Sequence, residues 1–174
     1  MDSKILNEKL SRVKLLVMDV DGTMTNAKVY YSNKGEELKE FSIRDGMGIE
    51  LLRKGKIKTA ILTTENSQIV TTRASKLKIE NVILGSRNKK KDLLDLAQKL
   101  SLNTENLAYI GDDVNDIHAM EAVGVSACPK DATSEVKKVA SYVCENTGGN
   151  GAVREFAEKI LISQNKSLIL EENW

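Results

Sequence analysis

Val13-Lys14-Leu15-Leu16-Val17-Met18-Asp19-Val20-Asp21-Gly22-Thr23-Met24-Thr25 is the stretch on which the fold turns. Its apolar half, with β-branched members, reads as a buried strand that stops by presenting two carboxylates and a glycine able to turn. On a regular strand Asp19 and Asp21 would share a face, and a turn there would bring one side chain and one main-chain oxygen around a single cation. A solvated Asp-x-Asp-Gly turn is the other reading of the same residues. Spacing to later motifs decides between them.

Upstream, Ile5, Leu6 and Leu10 recur at helical spacing within residues 3–12. Downstream, residues 27–41 read as a β-hairpin: Val29-Tyr30-Tyr31 and Glu37-Leu38-Lys39-Glu40-Phe41 flank Ser32-Asn33-Lys34-Gly35, whose Asn and Gly supply the turn. Such a hairpin either projects over the strand end as a flap or lies at an edge. Asp45 is a possible N-cap for the helix that carries Ile49, Leu51 and Leu52.

Strand signals at residues 58–62, 82–84, 107–110 and 123–127 then alternate with helical ones at about 66–77, 88–100 and 133–140. This alternation predicts an α/β fold: a Rossmann-like parallel sheet with right-handed crossovers, helices on both faces, and ligands at the carboxyl ends of the strands. Asp19, Thr63 and Asp112 all fall at such ends. The chain has no room for a large cap domain, which leaves the hairpin as its only intrinsic cover. Residues 1–174 read as a single domain closed by a loop, helix and tail over about 146–174; Gly148 to Gly151 form the loop, and Val153, Phe156, Ile160 and Leu161 the packing face of the helix.

With 41% hydrophobic and 29% charged residues the composition is that of a globular chain, and no apolar run is long enough for a bilayer. Residues 1–10 carry charges and no signal-peptide core, so a cytoplasmic location is expected. Cys128 and Cys144 lack metal-ligand spacing and read as buried thiols. A net charge of +1 without a basic stripe argues against nucleic acid or membrane as partner and for a small molecule. His118 reads as a packing or surface residue.

Asp19-Val20-Asp21-Gly22-Thr23 after an apolar strand resembles the first motif of the haloacid dehalogenase-like hydrolases. That resemblance makes Asp19 a nucleophile and Asp21 a general acid/base. Thr63 matches the second-motif hydroxyl that binds a phosphoryl oxygen. Lys89 matches the third-motif lysine, in a triple-lysine run that is either a solvated helix start or, since cations are unfavourable at a helix N-terminus, the holder of an anionic partner. Asp112 in Gly111-Asp112-Asp113-Val114-Asn115-Asp116 matches the acidic metal ligand, with Asp113 and Asp116 as supports. Hard oxygen donors imply Mg²⁺, and the resemblance implies Asp19, the main chain of Asp21 and Asp112 as its ligands.

The order of flap, Arg44-Asp45-Gly46-Met47-Gly48-Ile49 and the late glycine loop resembles a small, capless subclass that removes the 8- or 9-phosphate of keto-deoxy sugar acids. In that subclass homotetramers close each site with a neighbour's flap or tail, and the Gly148–Gly151 loop with its helix is either such a segment or an ordinary closure of its own domain. Thr64 departs from the glycine usual there. Thr64, Glu65, Arg73, Lys76 and Asn115 are the candidate substrate contacts. Glu65 and Lys76, read on one continuous helix about three turns and roughly 16 Å apart, either frame a long anionic substrate or are surface charges. Arg73 would engage the substrate carboxylate. The expectation is a nine-carbon acid, N-acylneuraminate 9-phosphate or deaminoneuraminate 9-phosphate, with 3-deoxy-D-manno-octulosonate 8-phosphate as the alternative. A non-catalytic oligomerisation module of a sialic acid activation system is the alternative of another class.

Overall fold

The computed structural model describes residues 2–170 and Glu172. The tryptophan that ends the acidic tail lies outside them. In chain order the elements are α1 (Ser3–Ser11), β1 (Leu15–Met18), β2 (Thr25–Ser32), β3 (Gly35–Phe41), α2 (Ile43–Lys54), β4 (Lys58–Leu62), α3 (Gln68–Lys76), β5 (Asn81–Ile83), α4 (Lys89–Lys99), β6 (Leu107–Ile110), α5 (Ile117–Met120), β7 (Val125–Cys128), α6 (Ser134–Val139), β8 (Tyr142–Val143) and α7 (Ala152–Ser163).

Six strands pair in parallel in the order β5-β4-β1-β6-β7-β8. Every residue of β1 is buried because both faces of the sheet are covered. Leu16 and Met18 enter an apolar layer with Leu10 of α1, Ile49 and Leu52 of α2, Val70 of α3 and Phe156 of α7. Leu15 and Val17 enter the opposite layer with Leu93 of α4, Met120 of α5 and Val136 of α6. The two-residue period of the strand thus divides one hydrophobic run between two cores. From β1 the chain crosses first to β4 on one side and later to β6 on the other, which opens a crevice at the carboxyl end of β1.

The hairpin of β2 and β3 forms its own antiparallel sheet, turning at Asn33-Lys34 as the sequence suggests. Its pairing slips twice, between Thr25 and Val29 and between Tyr30 and Tyr31, and Ala27 takes a positive φ of 60°. Tyr30, Tyr31 and Leu38 are left exposed on the hairpin. Among the described residues no helix is long and apolar enough to cross a membrane. Cys128 and Cys144 are free and buried, and burial pushes the Cys128 thiol up to about 11.

Three local readings are corrected. Ser42, not Asp45, caps α2: its hydroxyl accepts from the Asp45 N–H at 3.2 Å, while the buried Asp45 carboxylate reaches across to the N–H groups of Gly151 (3.2 Å) and Arg154 (2.8 Å) at the start of α7. α3 begins only at Gln68, leaving residues 63–67 as loop. The two-residue strand β8 is too short to carry a periodic signal and was not foreseen.

Candidate active site

Asp19 directly follows β1, and its N–H continues the ladder to the Ile110 carbonyl at 3.0 Å, which fixes the carboxylate at the sheet's central crevice. The chain then turns tightly, with the N–H groups of Thr23, Met24 and Thr25 all within 3.2 Å of the Val20 carbonyl. Gly22 sits at φ +93°, and a side chain there would overlap the Asp112 carboxylate. Only glycine accepts both conditions. Thr23 is fully buried and donates to Asp112 Oδ1 at 3.1 Å, so the first motif holds the fourth in place.

Lys89 opens α4, whose N-cap Asn88 accepts from the Lys91 N–H. Its Nζ lies 2.6 Å from Asp19 Oδ1 and 2.6 Å from Asp116 Oδ1, with the side chain 2% exposed. The anionic partner that the cost of a lysine at a helix N-terminus called for is therefore a pair of aspartates. Asp116 also accepts from the Tyr109 hydroxyl at 2.7 Å and from the N–H groups of Asp112 and Asp113 at 3.1 and 3.3 Å. Four donors occupy its two oxygens, so Asp116 acts as an anchor for its neighbours rather than a group free to meet a ligand. Asp113 is exposed and caps the short helical turn at Val114–Asp116, and Asn115 is exposed on that same turn.

Carboxylate oxygens of Asp19, Asp112 and Asp116 lie within 4.8 Å of one another. Burial, then Asp116, pushes the Asp19 carboxyl well above the usual carboxylate range, against the opposing pull of Lys89. Burial and Asp116 push Asp112 up to about 7. Burial favours loss of the Lys89 proton, but Asp19 and Asp116 outweigh it and hold the ammonium charged. Around the crevice stand the carboxylates of Asp19, Asp21, Asp112 and Asp116 against the ammoniums of Lys39 and Lys89. An all-oxygen donor set with surplus negative charge fits Mg²⁺. Because Asp116 is saturated, Asp19, Asp112 and the main-chain oxygen of Asp21 are the residues that would hold it.

Thr63 follows β4, is 1% exposed, and its hydroxyl accepts from the Glu65 N–H at 3.2 Å. Its own hydrogen remains available for an incoming oxygen. The Gly148-Gly149 loop lies behind the nucleophile turn: the Gly149 N–H donates to the Thr23 carbonyl at 3.0 Å, and a Cβ on Gly148 would overlap the Gly22 carbonyl. The loop thus packs against its own nucleophile turn.

Of the residues expected at the substrate, Thr64 is half-buried and Glu65 exposed in the loop after β4. They share no helix with Lys76, so the two-charge frame loses its premise. The Arg73 guanidinium donates to the Ser42 carbonyl at 2.9 Å and lies over the Phe41 ring, 5.5 Å from its centroid, tying α3 to the base of the hairpin instead of standing free for a carboxylate. Arg73 and Lys76 line a groove of about 430 Å³ between hairpin and α3, with Leu38, Lys39 and Phe41.

Lys39 was missed. It reaches from β3 to Asp21 Oδ1 and lies 2.7 Å from Glu36, and its side chain is 2% exposed. The signal was available: Lys39 is two residues from Phe41, whose ring packs on the core, and so shares its face, whereas Leu38 points outward. Tyr109 was read only as part of an apolar strand.

The chain matches the family model of the haloacid dehalogenase-like hydrolases over residues 51–156. It is 40% identical to the 3-deoxy-D-manno-octulosonate 8-phosphate phosphatase of Escherichia coli strain K12 over 158 residues, 91% of this chain and 84% of that one. The crystal structure of the phosphatase of that name from Yersinia pestis superposes with a TM-score of 0.91 at 38% identity, covering 93% of this chain and 88% of that one. The one from Moraxella catarrhalis, in complex with magnesium ion, phosphate ion and KDO, does so with a TM-score of 0.91 at 36% identity and 94% coverage of each. With the acidic crevice, the buried lysine and these likenesses in agreement, the chain belongs to the haloacid dehalogenase-like hydrolases, as a Mg²⁺-dependent phosphoric monoester hydrolase.

Proposed function

We propose that this protein hydrolyses the terminal phosphate of 3-deoxy-D-manno-octulosonate 8-phosphate. The observation that carries the reading is likeness along nearly the whole chain, at 36–40% identity, to phosphatases named for that substrate. The nine-carbon expectation gives way to it, because the single helix from Glu65 to Lys76 on which it rested is not formed. A non-catalytic assembly role does not suit a crevice that keeps Asp19, Asp21, Thr63, Lys89 and Asp112 together.

Asp19 supplies the nucleophile: its oxygen–phosphorus bond forms as the phosphorus–alkoxide bond breaks, and Asp21 gives its proton to the departing oxygen. Asp21 then takes a proton from water, which attacks the aspartyl phosphate, releases phosphate and restores Asp19. Lys89, 2.6 Å from Asp19, opposes the burial that favours the neutral carboxyl, and the free hydrogen of Thr63 meets a phosphoryl oxygen. Bound by Asp19, Asp112 and the main-chain oxygen of Asp21, Mg²⁺ would supply positive charge against the nucleophile and the phosphate. The exposed Tyr30, Tyr31 and Leu38 of the hairpin support assembly into a homotetramer in which neighbours cover one another's sites. Light scattering on the active protein tests that part.

The substrate is tested by kcat/KM in Mg²⁺ for 3-deoxy-D-manno-octulosonate 8-phosphate, N-acylneuraminate 9-phosphate and deaminoneuraminate 9-phosphate in parallel. At least tenfold preference for the eight-carbon acid is expected. A higher value for either nine-carbon acid reverses the assignment.

A further inference from the structure

The hairpin reaches the crevice through two charged side chains. Lys39 Nζ bridges Asp21 Oδ1 and Glu36 Oε1, and the other Glu36 oxygen accepts from the hydroxyl of Ser67, the residue preceding α3. Ser67 is itself buried, which anchors this chain of contacts to the body of the protein. The hydrogen bonds to Asp21 and Glu36 outweigh the burial of Lys39 and keep its ammonium charged; those from Lys39 and Ser67 outweigh burial at Glu36 and keep its carboxylate ionised. The bridge is thus a charged clamp whose middle, Lys39 and Glu36, lies in the hairpin and whose ends, Asp21 and Ser67, lie on the body. Asp21 Oδ2, by contrast, is buried and has no hydrogen-bond partner among the described residues.

We infer that Lys39 is a positioning residue for Asp21: by holding Oδ1 it aims Oδ2 at the leaving oxygen. The inference rests on the phosphatase reading above and adds a residue to its mechanism. A carboxyl group that is protonated on Oδ2 still accepts at Oδ1. The Lys39 contact therefore survives the whole proton cycle, in which Oδ2 gives its hydrogen to the alkoxide and recovers one from water while Lys39 exchanges none. Fixing one oxygen also stops the carboxylate from rotating, which would otherwise present the two oxygens at random. Glu36 and Ser67 hold Lys39 in turn, so the clamp forms only when the hairpin is seated.

The experiment compares an alkyl with an aryl phosphomonoester, because an alkoxide needs a proton to leave whereas 4-nitrophenolate does not. Leaving-group release in the first turnover is measured for Lys39→Met, Lys39→Arg and Glu36→Gln. The substrates are 4-nitrophenyl phosphate and whichever sugar-acid phosphate the unsubstituted protein turns over fastest. For Lys39→Met, release from the sugar acid falls about thirtyfold or more with KM within threefold, while release of 4-nitrophenolate stays within threefold. Lys39→Arg recovers most of the loss, and Glu36→Gln, which keeps the fold if Lys39→Met does not, shows the same selectivity at about threefold to tenfold.

Equal losses on both substrates, or none on either, overturn the inference. So does a rise in KM at unchanged release, which would make Lys39 a contact for the substrate. Preference of the unsubstituted protein for a nine-carbon acid would instead overturn the substrate assignment and leave this comparison intact.

Discussion

Tyr109, wholly buried on β6, donates its phenol hydrogen to Asp116 Oδ1 across 2.7 Å, and that same oxygen accepts from Lys89. The lysine is therefore shared between a saturated anchor and the nucleophile. Replacing Tyr109 by Phe removes one of Asp116's donors without changing the shape of the core. It should cost about 1.5–3 kcal/mol, the range for a hydrogen bond to a charged group, and draw Lys89 toward Asp116 and away from Asp19. Denaturant unfolding measures the first effect. A fall in kcat of about fivefold, the scale of a small misplacement, measures the second. An unchanged midpoint with unchanged kcat would show that the hydroxyl is idle.

Asp19→Asn should lower turnover by roughly a thousandfold or more, since an amide neither attacks phosphorus usefully nor holds a cation well. In the unsubstituted protein a chelator should stop phosphate release and added Mg²⁺ should restore it. Undiminished release by Asp19→Asn would remove the proposed mechanism.

Gly148→Ala should be damaging although the residue touches no reacting atom. Its Cβ would overlap the Gly22 carbonyl and push on the turn that presents Asp21. Overpacking of this kind costs about 1–3 kcal/mol. The Mg²⁺ concentration for half-maximal activity should rise several-fold as the turn shifts. A variant with normal stability and a normal Mg²⁺ requirement would show that the loop yields freely.

Glu155, on α7, accepts from the Tyr142 hydroxyl and from the N–H groups of Glu145 and Asn146. Burial works to raise its pKa, but these donors outweigh it and hold the carboxyl below its ordinary 4.5. A group depressed in the folded state stabilises the fold above its unfolded value and loses that contribution as pH falls through the folded one. Glu155→Gln should therefore destabilise by about 1–3 kcal/mol at pH 7, and the gap should close below pH 4.5. A gap independent of pH would assign the effect to packing alone.

The parallel sheet and its catalytic rim were legible because each signal was local. An apolar run ending in Asp19, Thr63 or Asp112 names both the strand and the end at which a ligand binds. The substrate contacts were not, because each depended on something remote. The Glu65–Lys76 frame needed a helix that begins three residues before Gln68, where the chain is loop. Arg73 has its partner on Ser42, thirty-one positions away, and Asp45 has one on Arg154, at a separation of 109. Asp116 read as a mere support because sequence shows neither that four donors converge on it nor that two of them, from Lys89 and Tyr109, arrive from other elements. Lys39 was hidden among the alternating charges of β3, where only its shared face with Phe41 distinguishes it.

The hairpin pairs with nothing in the main sheet, so the protein contains two hydrogen-bonded bodies that need not melt together. Asp19, Thr63, Lys89 and Asp112 ride on the larger body, whereas Lys39 and Glu36 ride on the smaller. Warming should loosen the smaller body first, and catalysis with it, while the larger one keeps its native circular dichroism. The temperature at which the enzyme falls silent would then lie below the temperature at which it unfolds, and the interval between them would measure how weakly the hairpin is fastened.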